Sequence, residues 1–142
     1  MAIVMMQGAD AGRSGLPGSM QDALAARARS AGQSVVHVRC EDAGQLVDRL
    51  SRIDRDNTDI ILLDPGRCTR DGALHATLQH LAVPYIEVHA DRHDRPEAQL
   101  PAAGPRLAVV NGYEAQSYTL AMSLALEQLG CAECENDVHV RT

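Results

Sequence analysis

Asp59-Ile60-Ile61-Leu62-Leu63-Asp64-Pro65-Gly66 is the stretch that decides the fold. Four consecutive apolar residues break the in-out alternation of a one-sided strand and predict a strand buried on both faces, at the centre of a parallel sheet. Asp64 then falls at the carboxyl end of that strand, and Pro65-Gly66 turns the chain away. A second short run, Tyr85-Ile86-Glu87-Val88, leads directly into His89. Open α/β sheets form their ligand sites along the carboxyl edge of the strands. A carboxylate and an imidazole delivered to that edge are therefore the first functional candidates.

Working outward, residues 2–6 are apolar and run into a loop, 7–19, too rich in Gly, Pro and Ser to extend a strand. Met20, Leu24, Ala25 and Ala28 recur at helical spacing, which predicts a helix over 19–30 with Ser19 as its cap. Val35, Val36 and Val38 mark a strand at 34–39. Ala43, Leu46, Val47, Leu50 and Ile53 share one face of a helix at 43–53. A third helix at 71–79 separates the strands at 59–63 and 85–88, and Pro84 is tolerable where a strand begins. Residues 91–104, charged and carrying Pro96 and Pro101, form a crossing loop. The last pair is a strand at 106–110 and a helix at 116–129, closed by Gly130. Five strands alternating with helices predict an α/β fold, a flavodoxin-like three-layer sandwich on a five-stranded parallel sheet. One domain spans 1–142, with a polar tail at 131–142.

The composition narrows the function. Aromatic residues are 2% of the 142, so a base-stacking surface has little to build with, and the net charge of −6 disfavours a phosphate backbone; no nucleic-acid partner is expected. All 13 basic residues are Arg. Without a lysine there is neither Schiff-base chemistry nor a Walker A phosphate loop. No run approaches the roughly 20 apolar residues of a membrane span, and residue 1 is not followed by a basic and then apolar leader, so a cytoplasmic protein without a membrane partner is expected. Cys40, Cys68, Cys131 and Cys134 read as free thiols.

His89 is the leading proton-transfer candidate, because imidazole gives and takes protons near neutral pH; that role requires an accessible ring. Asp64 is placed to accept hydrogen bonds or act as a base, or else it simply belongs to the Pro65-Gly66 turn. Glu87, two residues before His89, would orient an arginine or serve an interface, since burying it unpaired is costly. Arg67 and Arg70 are candidates for binding a carboxylate, with Arg13 completing the field and Asp10 either on the ligand or paired to Arg13. Asn111 and Glu114, at the exit of the fifth strand, are candidate ligand contacts. His89, Asp91, His93 and Asp94 lack the spacing of an established metal motif, and neither a metal nor another cofactor is expected.

Several of these stretches together resemble the type II 3-dehydroquinate dehydratase family: Gln7-Gly8-Ala9-Asp10-Ala11 after the first strand, residues 64–72 after the third, Val83-Pro84-Tyr85-Ile86-Glu87-Val88-His89, and residues 107–118. The resemblance implies a flavodoxin-like fold and a lyase with no cofactor. It also implies self-association, as trimers assembled into a dodecamer. In that family a loop tyrosine removes a proton beside a ketone, a loop arginine supports it, an asparagine stabilises the enolate through water, and the histidine protonates the departing hydroxyl. The resemblance places His89 as that histidine, Asp10 and Asp64 at asparagine positions, and Arg70 at a substrate-binding histidine position. No tyrosine lies between Gly12 and Gln21, and Arg13 is the one cation of that loop. Two functions follow. One is a diverged lyase dehydrating a small, anionic hydroxy-keto carboxylate, with Asp10 or Asp64 as base. The other is a noncatalytic ligand-binding or oligomeric structural protein that keeps the fold.

Overall fold

The structure, a computed structural model, describes residues 2–9 and 16–130. The strands are β1 (Ala2–Gln7), β2 (Ser34–Arg39), β3 (Thr58–Asp64), β4 (Tyr85–Val88) and β5 (Arg106–Val110), and the helices are α1 (Gly18–Ser30), α2 (Ala43–Ser51), α3 (Gly72–Gln79) and α4 (Gln116–Gln128). All strand pairs are parallel, in the order β2-β1-β3-β4-β5. This is the flavodoxin-like order, whose connections reverse direction between β1 and β3. The expected five-stranded α/β sandwich is therefore the observed architecture.

The unbroken apolar run explains the central position of β3. Ile60, Ile61, Leu62 and Leu63 have no exposed surface. Ile60 and Leu62 join Ile3, Met5, Ile86 and Val88 against α1 and α4, whereas Ile61 and Leu63 join Val4, Met6 and Tyr85 against α2 and α3. Each such side chain stabilises the fold by roughly 1.5–3 kcal/mol relative to exposure, and alternation within one strand supplies both cores. β2 and β5 lie at the sheet edges, where Val36 and Leu107 remain exposed.

Helix ends follow local chemistry, with one correction. Asp42 and Asp71 cap α2 and α3 by accepting from the backbone N–H of Gln45 and Leu74. Ser19 does not cap α1, which instead begins at Gly18 after Pro17, whose carbonyl accepts from Met20 and Gln21. Proline lacks an N–H and has a fixed φ, so it can precede a helix without leaving a donor unpaired.

Gly8 joins the exits of β1 and β3. Its N–H donates to the Asp64 carbonyl at 2.8 Å, and a Cβ at position 8 would lie 2.4 Å from the Pro65 carbonyl oxygen. Only glycine allows these two backbones to run so close together, which brings the carboxyl ends flanking the topological reversal side by side.

Candidate active site at the carboxyl edge of the sheet

Asp64 ends β3 and His89 follows β4, so the parallel register carries both to one edge of the sheet. Both are essentially without exposed surface. Tyr118, from the first turns of α4, donates its hydroxyl to Asp64 Oδ2 at 2.5 Å, and the Gly66 N–H donates to Asp64 Oδ1 at 3.1 Å. Gln7, at the end of β1, donates through Nε2 to the Tyr118 hydroxyl at 2.8 Å, while its Oε1 accepts from His37 Nε2 at 2.6 Å. A hydrogen-bonded chain thus runs beneath the edge from β2 through β1 and α4 to β3.

His89 is held from two sides. Its Nε2–H donates to Glu87 Oε2 at 2.6 Å and its Nδ1–H to Glu97 Oε1 at 3.0 Å. Glu87 is fully buried and fixed in turn by the Leu100 N–H at 2.8 Å and Arg106 Nη1 at 3.1 Å. The expectation that Glu87 would orient an arginine is met by Arg106. Glu97 belongs to the segment crossing from β4 to β5, and its side chain is 36% exposed. Buried Asp91 places it: Asp91 Oδ2 accepts from the Glu97 N–H at 2.7 Å and Oδ1 from the Gly112 N–H at 2.6 Å.

Burial raises Asp64 to about 6, with the Tyr118 and Gly66 hydrogen bonds only partly opposing it. For His89, burial favours the neutral ring, but the hydrogen bonds to Glu87 and Glu97 and the charges of Glu87 and Asp64 outweigh it and raise the ring to about 9. At neutral pH this pairs a carboxylate with an imidazolium. Burial, then the neighbouring Asp64 carboxylate, pushes the Tyr118 phenol well above its usual value, so it is a donor here.

One donor atom from each of Asp64, His89 and Glu97 lies within 4.8 Å of the others. A divalent cation there would have to replace the proton on Nδ1 that Glu97 accepts.

Of the remaining candidates, Arg67 lies exposed in the 3-10 turn Gly66–Cys68 and Arg70 is exposed two residues beyond it. Asn111 is half-buried beside a cavity of about 300 Å³ lined by Val109, Tyr113 and Leu124. Glu114 is exposed, at φ 53°, facing Arg92 at 3.7 Å. Among the described residues, no hydrogen bond joins the side chains of Arg70, Asn111 or Glu114 to Asp64 or His89. Asp10 and Arg13 lie outside the described residues, as do Cys131 and Cys134. Sequence reasoning missed Gln7, Asp91, Glu97 and Tyr118 as parts of this centre. Glu87 carried a partial signal, since alternation puts it on the same face as His89.

A flavodoxin-like sandwich with an acid–base pair at its carboxyl edge defines a small α/β domain with the layout of a ligand site. The chain belongs to the class II dehydroquinase family, whose model matches residues 11–126. It is 34% identical over 117 residues to a 3-dehydroquinate dehydratase of Stenotrophomonas maltophilia, covering 80% of this chain and 78% of that protein. A 3-dehydroquinate dehydratase 1 of Pseudomonas aeruginosa is 31% identical over 116 residues, covering 79% of each. The fold is likewise that of a type II dehydroquinase from Butyrivibrio crossotus, with a TM-score of 0.73 at 18% identity over 88% of this chain and 97% of that one. No described helix is long and apolar enough to cross a membrane.

Proposed function

We propose that the protein is a dehydroquinase-like lyase that removes water from a small hydroxy-keto carboxylate, with Asp64 as base and His89 as acid. The observation that carries this reading is a carboxylate and an imidazolium side by side at the sheet edge: burial makes Asp64 a stronger base that is still ionised at neutral pH, and the carboxylates of Glu87 and Glu97 hold the protons on His89. Neighbouring groups that hold an ionised base and a protonated acid at the same pH suit acid–base division of labour. Asp64 takes the proton from the carbon beside the carbonyl, and the carbon–hydrogen electron pair moves into the enolate. Collapse of the enolate expels the hydroxyl, which leaves as water with the His89 Nδ1 proton. Asp64 ends protonated and His89 neutral, and proton return from one to the other resets the site.

Asp64 stands in this reading for the loop tyrosine of the family pattern, which 13–20 lack. Asp10 is the other carboxylate of that edge in sequence, and Arg13, Arg67 and Arg70 are the candidates for holding the substrate carboxylate.

The noncatalytic alternative draws on one specific feature. His89 has no exposed surface, and both ring nitrogens already donate to carboxylates. Turnover therefore requires Glu97, the partly exposed partner, to give way.

The discriminating experiment incubates the protein and His89→Ala with 3-dehydroquinate and a set of cyclic hydroxy-keto acids, read by mass spectrometry. Loss of one water by the native protein alone supports the lyase. Identical intact profiles for both proteins across the set would favour the binding role.

A further inference from the structure

Two carboxylates hold the His89 ring, and they are held very differently. Glu87 is sealed, and its two oxygens are engaged by His89, the Leu100 N–H and Arg106. Glu97 reaches in from a crossing segment that is neither helix nor strand at that point, its side chain 36% exposed. Among the described residues its carboxylate bonds to His89 Nδ1, while its backbone is secured separately by Asp91. The backbone and the carboxylate of Glu97 are held by separate contacts, so the carboxylate can leave Nδ1 without moving the main chain.

Nδ1 is thus the one ring nitrogen a ligand could reach, and the group on it is a carboxylate supplied by the chain itself. We propose that the space occupied by the Glu97 carboxylate is a subsite for small carboxylates, and that a ligand binds by displacing Glu97 from His89. The chemistry of the subsite fits that class. An imidazolium N–H points into it, giving a charge-assisted hydrogen bond to an anionic oxygen. A tethered carboxylate competes at an effective concentration in the millimolar range, so Glu97 excludes weak anions and admits a ligand that makes further contacts. The proposal rests on the same centre as the lyase reading but not on turnover: it specifies what Nδ1 binds, and it holds for a binding protein as well.

The test removes the tethered group and offers a free one. In Glu97→Ala, formate and acetate should bind saturably, moving the His89 ¹⁵Nδ1 resonance and raising the melting temperature, with apparent affinity at least about ten-fold above that of the native protein. Glu97→Gln keeps the subsite filled by an amide and should gain less than Glu97→Ala; Glu97→Ala combined with His89→Ala should lose the response. Chloride at equal ionic strength controls for screening. A formate response equal in the native protein and Glu97→Ala, or one that survives loss of His89, would overturn the proposal. Absence of dehydration in the experiment above would leave this result intact, so the two readings fail separately.

Discussion

Asp64→Asn should make the protein more stable at neutral pH while abolishing the proposed base. Asp64 titrates near 6 in the fold, against 3.8 for its unperturbed carboxyl. A carboxyl whose folded value is raised destabilises the native state wherever the unfolded chain is ionised, so the cost is small below about pH 4, grows as pH rises, and is complete above 6. About two pKa units correspond to roughly 3 kcal/mol. An amide removes that penalty, but its NH₂ must face either the Tyr118 hydroxyl or the Gly66 N–H, both of which now donate to Asp64. One lost hydrogen bond returns about 1 kcal/mol; the attraction to the His89 imidazolium is already contained in the net value of about 6. A net gain of about 1–2 kcal/mol at pH 7.5 remains. Urea unfolding of both proteins at pH 7.5 and 4.5 reads it, and the advantage should shrink by at least half at the lower pH. Equal or lower stability of Asp64→Asn at pH 7.5, or a difference indifferent to pH, would refute the account of Asp64 as a buried charge held at a cost.

Two further outcomes are expected. Glu87→Gln leaves His89 and Arg106 without their buried carboxylate, which should cost roughly 3–5 kcal/mol; the His89 resonance should then titrate well below about 9, and an unchanged titration would show that Glu87 does not hold the ring proton. Tyr85 donates its hydroxyl to the Ala103 carbonyl, and burial pushes the phenol up to about 12. Stability from this group is full below pH 10, where neither state is ionised, and is lost as pH rises from 10 through 12, by up to about 3 kcal/mol. With no lysine in the chain to titrate in that range, Tyr85→Phe should visibly flatten the alkaline limb of the stability curve; an equal slope in both proteins would count against the assignment.

The polar edge was partly legible for a simple reason. A strand's exit is a local property: Ile60 to Leu63 end at Asp64, and Tyr85 to Val88 end at His89, whatever the rest of the chain does. Glu87 shared a face with His89 by the same two-residue period. Tyr118 gave no such signal, because in sequence it is one more large residue on the stripe of the last helix, and its hydroxyl meets Asp64 only when α4 packs across the sheet. Glu97 sat between Pro96 and Ala98 in a charged crossing loop, where an acidic residue ordinarily faces solvent. Arg67 and Arg70 carry charge close to the edge in sequence, and the turn after β3 leaves both on the surface.

Hydrophobic periodicity and turn chemistry, both short-range, were enough to determine five parallel strands, their helices and two polar residues at strand ends. The protonation states of those residues were decided only by the tertiary structure. They depend on dehydration and on contacts between residues as distant as Gln7 and Tyr118, 111 positions apart. Burial and through-space charge are properties of the packed edge, and no stretch of chain carries them by itself.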